Sequence, residues 1–488
     1  MKQLHVLFLL CLQLSTAQAQ SLVMGLQEAI ERAQAQSLDY EKNRNEWINN
    51  YWAYKTYQAG LRPRLVFRGD LPDLSRTIVP VIQNDGTETF RARSLANSFA
   101  EMALEQPIVP TGGTFFVSSQ LSRIDVLSPV STTSYLAYPV VVGIRQPLWG
   151  YNHLLWQQRI EPLRYEESRR RFDESMEMIA VKTTELFFNA LLAQKNLEIA
   201  DFNYSNADTL YSIARARFEL GKISEVDLLE IELYYLNNRN ARDLAQYEYN
   251  YHLLQLKNYL RLDEDTDLQL KVPEWLPLLR IDATEALAQA RQNRAKTLSI
   301  QRRLLEAEQE VAKARAERGF RADLYLSFGL SKSAPTLQDT YSDVQDQERF
   351  RLSLEIPILD WGRGRARIKT ALANYRLTQT EAEVEQSEFE QEVLLQVQRW
   401  NIYSEQIQYA QRAWEVARKR YEIAWHRFRR GHIQLSELNA AKREQNEAQR
   451  QYLSSLQNLW SAYFVLRMLT LYDFEKQQTI EYEIHEEE

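Results

Sequence analysis

Apolar side chains recur along this chain at two different spacings. From Trp400 the positions Tyr403, Ile407, Ala410, Trp414, Ala417, Tyr421, Ala424 and Phe428 alternate steps of three and four. The same register appears 210 residues earlier as Ala190, Ala193, Leu197, Ala200, Tyr204, Ala207, Tyr211, Ala214 and Phe218. Such spacing places a stripe along one side of a helix that packs lengthwise against other helices. Alanines let the neighbours approach and aromatics fill the holes, so the stripe reads as a packing seam. Both seams end in one phrase: Tyr211-x-Ile213-Ala214-x-x-Arg217-Phe218-x-x-Gly221-x-Ile223 and Tyr421-x-Ile423-Ala424-x-x-Arg427-Phe428-x-x-Gly431-x-Ile433. Chance places on the order of one identity in such a window, and seven are present, so the hairpin is duplicated.

The second spacing is two. Phe350, Leu352, Leu354 and Ile356 alternate with Arg351, Ser353 and Glu355; Leu324, Leu326, Phe328 and Leu330 alternate with Tyr325, Ser327, Gly329 and Ser331. In the first half Leu65, Phe67 and Leu71 oppose Arg68 and Asp70, and Val140, Val142 and Ile144 oppose Gly143 and Arg145. These are half-buried strands of the length a tilted bilayer-crossing strand needs. Trp149, Tyr151 and Trp361 fall where strand gives way to helix, the place of an aromatic girdle at a membrane–water interface. A soluble sheet with tryptophans in its core is the alternative. Two further candidate strands, about Phe99–Glu105 and Thr114–Leu121, flank Pro107 to Gly113 and fit either an extracellular hairpin or extra barrel strands.

Each half therefore reads as helix, strands, very long helix, glycine turn and returning helix. The predicted helices are about Leu22–Ala59, Pro162–Phe218 and Ser224–Arg261, then about Ala283–Arg318, Gly364–Phe428 and Leu435–Leu471. Strands occupy about 61–148 and 320–360. The repeats span 20–261 and 283–471, with a linker at 262–282 and an acidic tail at 472–488. Gly221 and Gly431 suit the left-handed residue that ends a helix. Ser224 with Asp227 three residues on reads as an N-cap with an acid in the first turn.

Composition narrows the class. Lys2, an apolar run from Leu4 to Leu14 and Ala17-Gln18-Ala19 read as a signal peptide, 1–19, with the mature chain starting at Gln20. Cys11 lies inside that run and is the sole cysteine, so no disulfide is available to the exported chain. No apolar run in the mature chain reaches the length of a membrane helix, but alternating barrel strands give only a weak hydropathy signal. A net charge of -7 over 488 residues leaves no basic footprint for nucleic acid. The six histidines have no ligand spacing, and no nucleophile elbow, P-loop or dinucleotide fingerprint is present. Asp263, Asp265, Asp267 and Glu274 fall at calcium-loop positions, but Leu268 stands where the loop requires glycine. The expectation is a protein with no catalytic residues, no metal and no cofactor.

The duplicated hairpin, the strands in matching places and the phrases Arg217-Phe218-x-x-Gly221-x-Ile223-x-x-x-Asp227-Leu228 and Arg427-Phe428-x-x-Gly431-x-Ile433-x-x-x-Glu437-Leu438 resemble the TolC family of outer-membrane efflux proteins. The resemblance covers essentially the whole mature chain. It implies a mainly α fold with a membrane β-barrel portion, in a homotrimer of the Gram-negative outer membrane. Strands would pool into one barrel, and the duplicated coiled-coil hairpins would form a periplasmic tunnel. It further implies docking of a periplasmic adaptor (membrane fusion) protein at the hairpin turns, around Arg217, Gly221, Ile223, Arg427, Gly431 and Ile433. An inner-membrane transporter would deliver cargo for passive export, in a tripartite efflux or type I secretion system. Asp227 and Glu437, six residues after each glycine, match the family's acidic constriction; Glu230 takes the second acidic place in the first half, where the second half has Ala440. The prototype's clasp, a tyrosine three residues before the second glycine and an arginine two after, is replaced here by Phe428 and Ile433.

Elementary physics points to the trimer too. Four paired strands leave two open edges, which hydrocarbon does not tolerate, and about eight strands is the minimum for a membrane barrel. Three chains would supply twelve strands, and more if the extra hairpin joins. A non-transporting periplasmic coiled-coil scaffold or adaptor is the competing reading; it accounts for the heptads but not for alternating strands in matching places.

Overall fold

A computed structural model describes residues 22–82, 86–128, 130–277, 279–430, 432–433 and 435–483. The expected signal segment, Cys11, Gly431 and residues 484–488 lie outside the described residues. The chain divides into two compact units, one drawn from Met1–Ile48, Arg169–Ala295 and Gln386–Glu488 and the other from Asn49–Ser168 and Lys296–Glu385.

The second unit is organised by one antiparallel sheet. Its strands are β2 (Arg64–Ile82), β3 (Glu88–Ile108), β4 (Gly113–Ser128), β5 (Thr132–Trp149), β7 (Arg321–Ala334) and β8 (Gln345–Glu355), in the order β2-β3-β4-β5-β7-β8. The sequence pattern predicts four strands, with the segments about 99–105 and 114–121 fitting either an extracellular hairpin or extra barrel strands. Both belong to the sheet, as the central strands β3 and β4. Their registry runs from Ile108↔Gly113 to Ser94↔Ser128. What joins them is a tight turn that alternation alone does not reveal. Gly112 adopts φ +72, and a Cβ there would lie 2.9 Å from Asn152 Oδ1. That conformation and that crowding both select glycine. Asn152 Nδ2 donates to the carbonyls of Val109 (2.9 Å) and Pro110 (3.2 Å), so the turn is fastened beside the start of a helix. Beyond Ser94, β3 has no β4 partner, and Thr77–Ile82 pair only with Glu88–Arg93.

The helices follow the expected order; the two long ones extend beyond their expected bounds and the two returning ones stop slightly short of them. α3 (His153–Glu219) and α7 (Arg363–Arg429) each contain 67 residues, about 100 Å at 1.5 Å per residue. α4 (Glu225–Tyr259) and α8 (Leu435–Thr470) return from them. Asn152 Oδ1 accepts from the Leu155 N–H (3.2 Å), starting α3 well before Pro162, which lies inside the helix.

The two helices expected at about Leu22–Ala59 and Ala283–Arg318 are each broken. Residues Leu22–Met24 are instead strand β1, paired in parallel with β6 (Leu268–Leu270). α1 (Leu26–Gln36) gives way to α2 (Leu38–Gly60) at Ser37. The Ser37 N–H closes α1 on the Ala33 carbonyl (3.0 Å), while its Oγ accepts from Tyr40 N (3.1 Å) and opens α2. α5 (Ala283–Asn293) and α6 (Ala295–Arg318) part at Arg294, where Glu174 Oε1 accepts from the Ala295 N–H (2.9 Å). Local capping chemistry thus overrides a helical pattern that continues across both sites.

In the first unit the fully buried side chains include Phe187, Phe188 and Leu191 on α3, Leu256 on α4, Trp400 and Ile407 on α7, and Leu453, Leu456 and Leu459 on α8. Trp400 donates its ring N–H to the Leu279 carbonyl (2.9 Å), which satisfies its one polar atom. The chain closes with a short hairpin of β9 (Tyr472–Asp473) and β10 (Gln478–Thr479). Among the described residues no helix is long and apolar enough to cross a membrane.

Candidate functional site

Two regions are candidates: the two faces of the six-stranded sheet and the turns at the ends of the long helices. Period-two alternation sends successive side chains to opposite faces. One face carries Leu65 and Phe67 (β2), Met102 and Leu104 (β3), Phe115 (β4), Val142 (β5), Leu326 and Phe328 (β7), and Phe350, Leu352 and Leu354 (β8), all exposed. Phe350 is 70% exposed. An apolar band this continuous has no place in water.

The other face is polar and internally paired. Glu105 is its hub. It accepts from Arg64 Nη2 (2.8 Å) and Arg68 Nη2 (2.7 Å), and Arg145 Nη1 lies 3.9 Å away. Arg68 also reaches Glu101 (3.3 Å), and the Arg145 guanidinium lies over the Phe116 ring at 4.8 Å. The ion pairs tie β2 to β3 and β3 to β5. Sequence reading missed this cluster, although Arg64/Arg68 and Glu101/Glu105 share a four-residue step, which two-residue periodicity puts on one face.

At the strand–helix junction Trp361 is 89% exposed and Trp149 56%. Trp149 packs on Phe320 with ring centroids 5.0 Å apart. Asp360 caps the start of α7, accepting from the N–H groups of Gly362 (2.9 Å) and Gly364 (2.8 Å). Tyr151 is placed differently: it is half-buried, and its hydroxyl accepts from Gln309 Nε2. So two of the three expected interface aromatics point outward.

The helix turns show the duplication in their hydrogen bonds. The Lys222 N–H donates to the Arg217 carbonyl (2.8 Å), and the His432 N–H donates to the Arg427 carbonyl (3.0 Å). In the first turn Gly221 N–H also meets the Phe218 carbonyl (2.8 Å), and Gly221 has φ +66. This pair of bonds and the left-handed glycine form a Schellman motif. Arg217 and Arg427 are exposed, while Ile223 and Ile433 are half-buried.

The acidic residues are not equivalent. Asp227 closes a capping box: its Oδ2 accepts from Ser224 N (3.1 Å) and Ser224 Oγ (2.7 Å), and its own N–H donates to Ser224 Oγ (3.1 Å). The Ser224 hydroxyl, then its N–H, hold the Asp227 carboxyl below the usual value. Glu230 and Glu437 are exposed. Glu437 borders a cleft with Arg420, Arg427, Ile433 and Ala440, in which Arg420 is paired to Glu444.

A third cluster, also missed in the sequence, is buried in the helical unit. Arg467 on α8 donates in bidentate fashion to Glu177 on α3 (3.0 and 2.7 Å) and also to Asp473 (3.0 Å). The Tyr482 hydroxyl donates to Glu177 (2.7 Å), and the Tyr482 N–H donates to Asp173 (3.0 Å). Burial and the Glu177 carboxylate push the Tyr482 hydroxyl pKa up. The repeat offers the signal in hindsight. Arg467, itself half-buried, is the 210-residue counterpart of Lys257, which is buried and donates to the Glu264 carbonyl (2.8 Å).

Comparison with known proteins agrees with this arrangement. The family model described as outer membrane efflux protein matches residues 114–260 and 282–470. Among solved structures, the CmeC outer membrane channel of Campylobacter jejuni aligns with a TM-score of 0.65 at 14% identity, covering 91% of this chain and 85% of that one. VceC of Vibrio cholerae aligns at 0.61 and 13% identity, covering 91% and 95%. The MtrE outer membrane channel of Neisseria gonorrhoeae, in its open state, aligns at 0.59 and 14%, covering 91% and 88%. No curated protein sequence matches the chain.

Proposed function

Because this chain belongs to the outer membrane efflux protein family, an outer-membrane family, we propose that it is the exit duct of a tripartite export system, efflux or type I secretion. One observation carries the reading: the sheet is apolar on one face, polar on the other, and open at both ends of its strand order. Backbone N–H and C=O groups along β2 and β8 need partners in hydrocarbon, where each unpaired group costs several kcal/mol. Neighbouring copies supply them in a homotrimer. The apolar face then meets lipid and the Arg64–Glu105–Arg68 face lines the lumen, with Trp149 and Trp361 at the interface.

The helical turns are the inner end of the duct. Arg217, Gly221, Ile223, Arg427, Gly431 and Ile433 present a duplicated surface to an adaptor, which links the duct to an inner-membrane transporter. Glu437 and Glu230, with Asp227, form the acidic constriction. Carboxylates gathered in a narrow low-dielectric passage raise the local cation concentration. Asp227 contributes least, because its carboxylate is already engaged with Ser224. With Phe428 and Ile433 in place of a tyrosine–arginine clasp, closure rests on apolar contact and depends little on salt.

The test is the purified protein in mild detergent and in planar bilayers. A stable trimer that conducts ions is expected, and a well-folded monomer without conductance overturns the reading. Within the conducting trimer, Asp227→Ala with Glu437→Ala lowers the cation-to-anion permeability ratio. An unchanged ratio removes the constriction from the proposal and leaves these residues as helix-terminal charges.

A further inference from the structure

We infer that the β2–β3 hairpin is part of the barrel wall, so that the trimer closes on eighteen strands through β2 of one copy pairing with β8 of the next. The inference rests on the trimeric duct proposed above and adds its width. A chain contributing only β4, β5, β7 and β8 would close on twelve, through its β4 edge.

Three features of the sheet carry it. First, the β4 edge that a twelve-strand closure needs is occupied. β3 pairs with it from Thr114 to Ser128, with one register shift between Ser94 and Leu95. Releasing it would strip a full ladder of backbone hydrogen bonds inside hydrocarbon. Second, the apolar band continues without a break onto the hairpin. Leu65↔Leu104↔Val117↔Val142↔Phe328 is one cross-strand row. Leu65, Leu104, Val142 and Phe328 in that row are exposed, so β2 and β3 present the same side to lipid as β5 and β7. Third, the polar face is locked across the same strands. Glu105 on β3, only 9% exposed at its side chain, binds Arg64 and Arg68 on β2 and approaches Arg145 on β5. A hairpin lying outside the barrel would carry this buried carboxylate and its arginines away from the lumen.

Three copies of a six-stranded sheet give eighteen strands. Barrel diameter grows roughly linearly with strand number, so this wall is about one and a half times as wide as a twelve-stranded one. At sixteen to eighteen strands, side chains no longer fill the interior and an aqueous channel remains. The duct's outer portion is therefore suited to bulky hydrated cargo, such as polypeptide or oligosaccharide, and does not sieve small solutes.

Disulfide trapping in the full-length protein distinguishes the closures. Cys11 is the chain's only cysteine, so introduced thiols report alone once the expected signal segment, residues 1–19, is removed. Val66→Cys on β2 is combined in turn with Arg349→Cys, Arg351→Cys and Ser353→Cys on β8, all on the polar face. Ser118→Cys on β4, combined with the same three, is the counter-test. The expected result is a covalent ladder of two and three chains for at least one β2–β8 pair and none for β4–β8. Linkage through β4, or no β2–β8 linkage at any of the three positions, overturns the inference. The native mass of the same samples keeps the two proposals apart: a monomer defeats the trimeric duct, whereas a trimer linked through β4 defeats only the eighteen-strand wall. A second measurement adds polyethylene glycols of graded size from the strand side of the bilayer. Deleting residues 62–111 joins α2 to β4; the size cut-off of trimers that still assemble is expected to fall by about a third. An unchanged cut-off in such trimers counts against the hairpin as wall; if the deletion prevents assembly, the disulfide result decides.

Discussion

The two units of this chain use the same kinds of residue with opposite burial. In the helical unit Phe187, Phe188, Leu456 and Leu459 are wholly enclosed, and so is Glu177, held by the half-buried Arg467. In the sheet unit Phe67, Phe350, Leu352 and Leu354 stand exposed while charged groups gather on the opposite face around Glu105. One unit is folded against water and the other is inverted for lipid. Hydrophobic burial drives the first, whereas the second gains nothing from hiding leucine because its solvent is itself apolar. The contrast makes each unit's weak points different, and substitutions expose it.

The largest effect belongs to the helical unit. Glu177 has no exposed side-chain surface, and Arg467 supplies two of its hydrogen bonds. Arg467→Ala strands that carboxylate and costs about 3–5 kcal/mol. Denaturant unfolding of the purified protein, followed by a helix signal, measures it. Glu177→Gln combined with Arg467→Met removes both charges and recovers much of the loss, since a buried pair gains little over a well-packed apolar replacement. If the single change is as mild as the double, the cluster is not an enclosed ion pair and the contrast between the units weakens.

The next effect tests the sheet. Leu352 and Ser353 are neighbours on β8 that point to opposite faces. Leu352→Arg places a guanidinium on the lipid side, at a cost of about 2–4 kcal/mol near the bilayer midplane. Ser353→Arg places it on the lumen side beside the partner position Asp323 and is expected to be near neutral for assembly. The yield of folded protein from membranes and unfolding midpoints report both. Equal effects at the two positions break the inside-out description of the sheet.

The two units also differed in how far the sequence disclosed them. The long helices were legible because a stripe such as Trp400–Phe428 repeats over many turns and recurs at a 210-residue offset, so each copy corroborates the other. Strand alternation was legible where it was uninterrupted, as in Phe350–Ile356. It was not decisive around Pro107–Gly113, because the turn there depends on Asn152 reaching across to Val109 and Pro110, a contact forty residues away in sequence. The helix breaks at Ser37 and Arg294 were hidden for a related reason. The apolar periodicity runs through both, and what ends the helix is a single hydroxyl in one case and Glu174 of another helix in the other. The Glu105 and Glu177 clusters left only weak traces, a four-residue step and a repeat counterpart, because each draws partners from strands or helices distant in sequence. At the candidate constriction the acidic positions could be named, and Ser224 with Asp227 read as an N-cap, but not that Glu437 borders a cleft beside Arg427.

A smaller effect probes the turn that brings β3 and β4 together. Gly112→Val puts a β-branched residue into a left-handed conformation, at about 1–2 kcal/mol, and drives its Cβ against the Asn152 amide. A reduced yield of folded protein from membranes is expected, with the helical unit unaffected in protease digestion. Gly86, also at positive φ, has nothing within 4 Å of an added Cβ. Gly86→Ala therefore pays only the backbone strain. If Gly112→Val is no worse than Gly86→Ala, the Asn152 clamp does not fix the hairpin.

The smallest effect separates the two helical turns. Asp227 is held below its ordinary value of 3.8 chiefly by the Ser224 hydroxyl, with the Ser224 N–H second. For a carboxylate whose pKa is depressed in the folded state, the stabilisation is fully present above the unfolded value and is lost as pH falls through the folded one. The first turn should therefore loosen only below about pH 3.8, and the start of α4 should gain amide exchange there relative to neutral pH. Asp227→Asn removes the charge while keeping an acceptor, so its α4 amides are expected to behave at neutral pH much as the parent's do in acid, with no further loosening on acidification. Ser224→Ala removes the donor that lowers the carboxyl and shifts the acid transition upward. The Glu437→Gln variant leaves α4 exchange untouched, because that carboxylate belongs to the other hairpin. Hydrogen exchange resolved by peptide reads all three. If α4 loosens equally in the Glu437→Gln protein, the turns are coupled, and the division between a capping acid and a cleft acid does not hold.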